Sequence, residues 1–137
     1  MSHRQPSAFS YRVELAWLVL VACCLAGCGQ TANVTVTGKV LKNDQPLQLS
    51  PTGSVMVTLI PDVAPGTPAS NKLEYADASG NFTIQDVPPG KYKVAIVQLD
   101  PDPGSDKLAG AFSAKNTKIV REIDGKTPLN IDLARPE

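Results

Sequence analysis

The side chains best suited to chemistry are unevenly placed. His3, Trp17, Cys23, Cys24 and Cys28 all fall within the first 28 residues of a 137-residue chain, and no histidine, tryptophan or cysteine follows. Residues 29–137 therefore cannot host a Ser-His-Asp or Cys-His nucleophile, a histidine-ligated zinc or an imidazole base. Carboxylates are the remaining candidates. Asp100, Asp102 and Asp106 lie within seven residues, in Asp-Pro-Asp-Pro-Gly-Ser-Asp. Such a cluster could collect calcium through its oxygens, or supply the pair of carboxylates, roughly 5–10 Å apart, that a hydrolase needs. The spacing does not fit a calcium-binding loop, and the prolines restrict how the segment could wrap an ion. A solvated turn is the expectation; the three aspartates mark a possible ligand loop, and no metal or cofactor is expected.

Thirteen Lys and Arg balance thirteen Asp and Glu, which argues against a nucleic-acid partner, since phosphate neutralisation needs a basic excess. Lys115, Lys118 and Arg121 are too sparse for a polyanion patch. Residues 1–14 carry His3, Arg4 and Arg12, with Glu14 the only acid. An unbroken apolar run of 13 residues follows, Leu-Ala-Trp-Leu-Val-Leu-Val-Ala-Cys-Cys-Leu-Ala-Gly over residues 15–27. A charged start, an apolar stretch of this length and small residues at its end describe a secretory signal peptide, expected as a helix over residues 1–27. A membrane-crossing helix takes about 20 apolar residues, so an uncleaved anchor is the lesser alternative.

Leu25-Ala26-Gly27-Cys28 resembles the lipobox of bacterial lipoproteins, in which the cysteine is lipidated and becomes the first residue of the mature protein. Leu20-Val21-Ala22-Cys23 fits a looser form, but that choice leaves an apolar core of only eight residues. Cys28 is therefore preferred. The resemblance implies a diacylglyceryl thioether on Cys28 and an N-acyl chain such as palmitate. Several chains hold a protein firmly where one holds it marginally. It further implies a cell-envelope location, lipid-anchored and facing the periplasm or cell surface. Residues 28–33 would be the lipidated tether and 34–137 the folded domain. Residue 29 is Gly rather than Asp, and the choice of membrane stays open.

Beyond Cys28 the hydrophobic period is two. Strands are expected over residues 33–41, 54–60, 73–75, 82–84, 91–99, 119–123 and 129–133. Residues 54–60 are apolar on both faces, as in a strand buried between layers. Turn residues separate the strands: Asn43-Asp44, Asp77-Ala78-Ser79-Gly80-Asn81, Pro88-Pro89-Gly90 and Asp124-Gly125. The 73–75 and 82–84 strands are expected to form one hairpin, with Tyr75 and Phe82 as a cross-strand pair. The last two strands are expected to form another. Residues 100–117 show no period and read as a functional or mobile loop. These elements predict an all-β, seven-stranded antiparallel β-sandwich.

Several pieces resemble the carboxypeptidase regulatory-like domain, a transthyretin-like (prealbumin-like) sandwich found in planctomycete-type lipoproteins. They are Val36-Thr37-Gly38-Lys39-Val40, Gln45-Pro46-Leu47, Asp77-Ala78-Ser79-Gly80-Asn81-Phe82, Pro88-Pro89-Gly90-Lys91-Tyr92-Lys93-Val94 and Leu129-Asn130-Ile131-Asp132-Leu133. Asp44 stands where the family's first turn usually carries Gly, and Asp tolerates left-handed φ better than most residues. The resemblance implies a supporting or binding role without catalytic residues. Tyr92 is expected to pack in the sandwich with its hydroxyl on backbone near a corner. Lys91 and Lys93 should face solvent. The functional expectation is a non-enzymatic envelope lipoprotein with a structural or protein-interaction role. Its partners would be membrane lipid through Cys28 and an envelope protein or glycan. The alternative is a carbohydrate- or peptide-binding module using loops 61–72 and 100–117, with Tyr75 and Phe112 the available aromatics.

Overall fold

Alternating apolar residues fold into eight strands. The computed structural model describes residues 31–136, so the expected signal peptide helix and Leu25, Ala26, Gly27 and Cys28 lie outside the described residues. The strands are β1 (Val34–Lys42), β2 (Gln45–Pro46), β3 (Ser54–Pro61), β4 (Lys72–Ala76), β5 (Asn81–Val87), β6 (Gly90–Leu99), β7 (Val120–Ile123) and β8 (Leu129–Asp132). One more strand forms than expected. It is the two-residue β2, created because Asn43 and Asp44 both take positive φ (53° and 61°) and close a two-residue hairpin onto β1. That geometry matches strand twist, and Asn and Asp reach it at modest strain.

Two four-stranded sheets result. In one, β1 pairs with β5 and β2 on one side and β8 on the other; the second runs β4-β3-β6-β7. Pairing is antiparallel except between β1 and β8, which run parallel from Gly38↔Leu129 to Leu41↔Asp132. Both sheets contribute to one buried cluster. Val36 and Val40 of β1, Phe82 and Ile84 of β5, and Ile131 of β8 join Val55, Val57 and Leu59 of β3 and Tyr92, Val94 and Ile96 of β6. Each fully buried aliphatic side chain contributes about 1.5–3 kcal/mol. Gly38 lets the sheet close: a Cβ there would collide with the Leu129 carbonyl and the Phe82 ring.

Neither expected hairpin is a hairpin. β4 pairs with β3 while β5 pairs with β1, so the Asp77–Asn81 turn carries the chain from one sheet to the other. Tyr75 is consequently 51% exposed and lies beside Met56, whereas Phe82 is 4% exposed in the core. Likewise β7 pairs with β6 and β8 with β1. Period-two patterning shows that each strand buries one face, not which sheet it joins. β3 also departs from expectation. Val55, Val57 and Leu59 are buried, but Met56, Thr58 and Ile60 are only half-buried on a face that no second layer covers among the described residues.

The segment after β6 is fastened along its edge. β7 covers β6 only from Gly90 to Lys93. Beyond it, Val94 N–H donates to Ile119 O (2.9 Å), Ile96 N–H to Phe112 O (2.8 Å) and Lys107 N–H to Gln98 O (2.7 Å). The segment lacks a period because it is a run of turns that satisfies the rest of the β6 edge.

The sandwich thus has two distinct ends. Residues 31–33, 62–71, 88–89 and 124–128 lie at one, here the proline end. At the other, the aspartate end, lie 43–44, 47–53, 77–80, 100–106 and 133–136.

Candidate functional site

The three aspartates of the possible ligand loop are held apart in their roles. Asp100 accepts from the Ser50 amide (2.9 Å) and from the Ser50 hydroxyl. The Ser50 hydroxyl, then its amide, holds the Asp100 carboxyl below the usual carboxylate range. Asp102 accepts from the Ser54 hydroxyl (2.6 Å), and its own amide donates to Thr52 O (2.8 Å). Asp106 turns the other way. Its carboxylate accepts from the amides of Gln98 (3.0 Å), Leu108 (3.0 Å) and Gly110 (2.9 Å). Asp100 and Asp102 therefore stitch the 50–54 turn to the end of β6, while Asp106 fastens the following segment along its edge.

Aspartates outside that loop do the same work. Asp77 accepts from the amides of Ser79 (2.8 Å) and Asn81 (2.9 Å), and the Asn81 side-chain amide is the main cause of its lowered pKa. Asp132 accepts from Asn43 N–H (2.9 Å), Asp44 N–H (3.1 Å) and Ala134 N–H (2.9 Å), the last contributing most to holding its carboxyl low. Arg135 bridges Asp44 (2.8 Å) and Asp132 (3.2 Å). This staple ties the first hairpin to the end of β8. Sequence reasoning placed Asp132 only in a strand pattern; the Asp-x-Ala spacing of an Asx turn was the available signal. Among the described residues no group of three or more His, Cys, Asp or Glu is placed to hold a metal ion.

Tyr92 packs at 3% exposure, and its hydroxyl donates to Pro88 O at 2.7 Å. Burial pushes its phenol up from the ordinary value. The hydroxyl thus anchors the Pro88-Pro89-Gly90 corner, and Lys91 and Lys93 face solvent on either side.

A concave feature missed in the sequence lies at the proline end. Pro61, Val63 and Pro68 face Pro88 and Pro89 across a cleft of about 300 Å³, with Tyr92 in its lining. Asp62 and Lys91 pair at its rim at 3.7 Å, with 39% and 60% of their side chains exposed, a pair of little energetic weight. The cleft arises because β3 and β6 are register partners at Pro61↔Tyr92, so the segments leaving β3 and entering β6 must stand side by side. Val63 is 48% exposed.

The two loops of the binding-module alternative do not converge. Loop 61–72 leaves the Pro61↔Tyr92 end, whereas 100–117 starts beyond the Ser54↔Leu99 end. The aromatics are separated too. Tyr75 sits on the outer strand β4, on one side of the β3–β6 pair, and Phe112 packs against the core from the segment on the other.

Comparison of the chain with protein-family models, curated proteins and solved structures finds no match.

Proposed function

We propose that this chain is an exported lipoprotein, anchored to a membrane through acylated Cys28, whose domain is a non-enzymatic transthyretin-like β-sandwich of the carboxypeptidase regulatory-like kind. Its role is structural or in protein interaction within the cell envelope, with an envelope protein or glycan as partner. The observation that carries the non-enzymatic reading is the engagement of Asp100, Asp102 and Asp106: their oxygens are taken by hydroxyls and amides of the chain's own turns. A general acid needs a carboxyl titrating near neutral pH, and Asp100 is displaced the opposite way. Support for the anchor comes from Leu25-Ala26-Gly27-Cys28 after a 13-residue apolar run. The start of β1 six residues beyond Cys28 leaves a short tether.

A second reading, a peptide- or carbohydrate-binding module, has the proline-lined cleft in its favour. The separation of Tyr75 from Phe112 weighs against a carbohydrate platform.

The anchor is tested by metabolic labelling with a radioactive fatty acid and membrane fractionation. Cys28→Ala is expected to abolish label and membrane retention, whereas Cys23→Ala leaves both intact. Label retained by the Cys28→Ala protein would refute the lipobox assignment.

A further inference from the structure

We infer that the proline end is the face that rests on the lipid surface holding Cys28, with the aspartate end directed away from it; this rests on the lipoprotein reading above. The chain enters the fold at the proline end, since Val34 pairs with Val87, the residue before Pro88. Between Cys28 and Val34 the backbone reaches at most about 20 Å. The ten residues of β6, running from the proline end to the aspartate end, span roughly 33 Å. The tether is therefore shorter than the sandwich, and the domain cannot stand on its aspartate end while Cys28 stays in the membrane.

Charge and polarity select the same face. At the aspartate end Asp44, Asp77, Asp100, Asp102, Asp106 and Asp132 outnumber Lys39, Lys42, Lys107 and Arg135. At the proline end Asp62, Asp86 and Asp124 are balanced by Lys72, Lys91 and Lys126. An anionic headgroup surface repels the first set and tolerates the second. Residues 63–71 carry no charge and are exposed throughout, with Val63 and Pro65 among them. That stretch can lie among headgroups without burying an ion. The acyl chains supply the attachment; the proline end sets its orientation. The acidic face is then the one offered to envelope partners.

The test uses the full-length lipoprotein in vesicles of phosphatidylethanolamine and phosphatidylglycerol. Val63→Cys and Ser79→Cys proteins are each labelled with a small fluorophore, the native Cys28 thiol being blocked by its lipid. Quenching by neutral acrylamide at position 63 is expected to be several-fold weaker than at 79 on protein that floats with the vesicles. In soluble protein carrying Cys23→Ser, Cys24→Ser and Cys28→Ala, which has no other thiol, the two positions should be quenched alike. Thr67→Cys serves as a second probe of the same loop should Val63→Cys fold poorly. Equal quenching at both ends of vesicle-bound protein would overturn the orientation while leaving the anchor standing. Protein that fails to float would remove the anchor and the orientation together.

Discussion

The two ends of this sandwich are built from different chemistry. At the aspartate end, carboxylates hold the loops. Asp100 and Asp102 grip the 50–54 turn, Asp77 the turn between sheets, and Asp132 the first hairpin. Prolines, whose φ is fixed before folding begins, stiffen both ends, Pro51, Pro101 and Pro103 at the first and Pro61, Pro65, Pro68, Pro88 and Pro89 at the second, but the second has fewer carboxylates gripping its loops. Tyr92 and Asp124 supply the principal polar contacts there. One end therefore depends on several ionised groups and the other chiefly on Asp124, so acid, carboxylate substitution and loss of a neutral hydroxyl should affect them unequally.

Acid should separate the ends most widely. Asp77, Asp100 and Asp132 at the aspartate end, and Asp124 at the other, all have carboxyls held below their ordinary value of 3.8. For groups lowered in this way the unfolded chain binds more protons than the folded one between the two pKa values, so stability rises with pH there. The contribution is complete above the ordinary carboxylate range and is lost as pH falls through the lowered values. The thermal midpoint should stay level from neutral pH to about 5 and fall below about 4. The amides of Asn43, Ser50 and Ser79 should shift with it, before those of residues 63–71. A midpoint unchanged down to acid pH would show that these carboxylates do not hold the loops.

Asp106→Ala comes next. Three amides lose their acceptor, one of them on β6 itself. Hydrogen bonds to a charged group contribute about 1.5–3 kcal/mol each, with losses shared where water can reach, so a fall of roughly 3 kcal/mol in urea unfolding is expected. Asp106→Asn keeps an acceptor but turns an NH2 toward one of the amides, and should cost about 1 kcal/mol. If the Ala variant unfolds like the parent, the segment after β6 is not fastened by this carboxylate.

How much of this was legible beforehand depended on what each signal reports. The alternation of Val55, Val57 and Leu59, and of Tyr92, Val94 and Ile96, located β3 and β6 because burying one face imposes period two. Asn43-Asp44 announced its turn through left-handed tolerance. Sheet membership was not legible: a reversal at Asp77–Asn81 looks alike whether the next strand pairs back or crosses to the other sheet. Nor was the role of Asp100 and Asp102, whose partners Ser50 and Ser54 are brought up by the β3–β6 register, or of Asp106, whose segment folds back on the free edge of β6. The proline cleft was hidden for the same reason, its walls being some twenty residues apart in sequence and adjacent only through Pro61↔Tyr92.

Tyr92→Phe gives the smallest effect and isolates the proline end. The ring stays buried, so core packing is kept, and only the hydroxyl on Pro88 O is removed. A neutral hydrogen bond of this kind contributes about 1 kcal/mol, and the carbonyl left behind belongs to an exposed residue that water can reach. The loss should be the same at pH 7 and pH 4, because the raised phenol pKa leaves the hydroxyl protonated at both; its stabilisation fades only as pH climbs through that raised value. Urea unfolding of the two proteins at both pH values measures it. A loss confined to one pH would mean that the proline corner is coupled to a titrating carboxylate, and the contrast between the ends would then be one of degree.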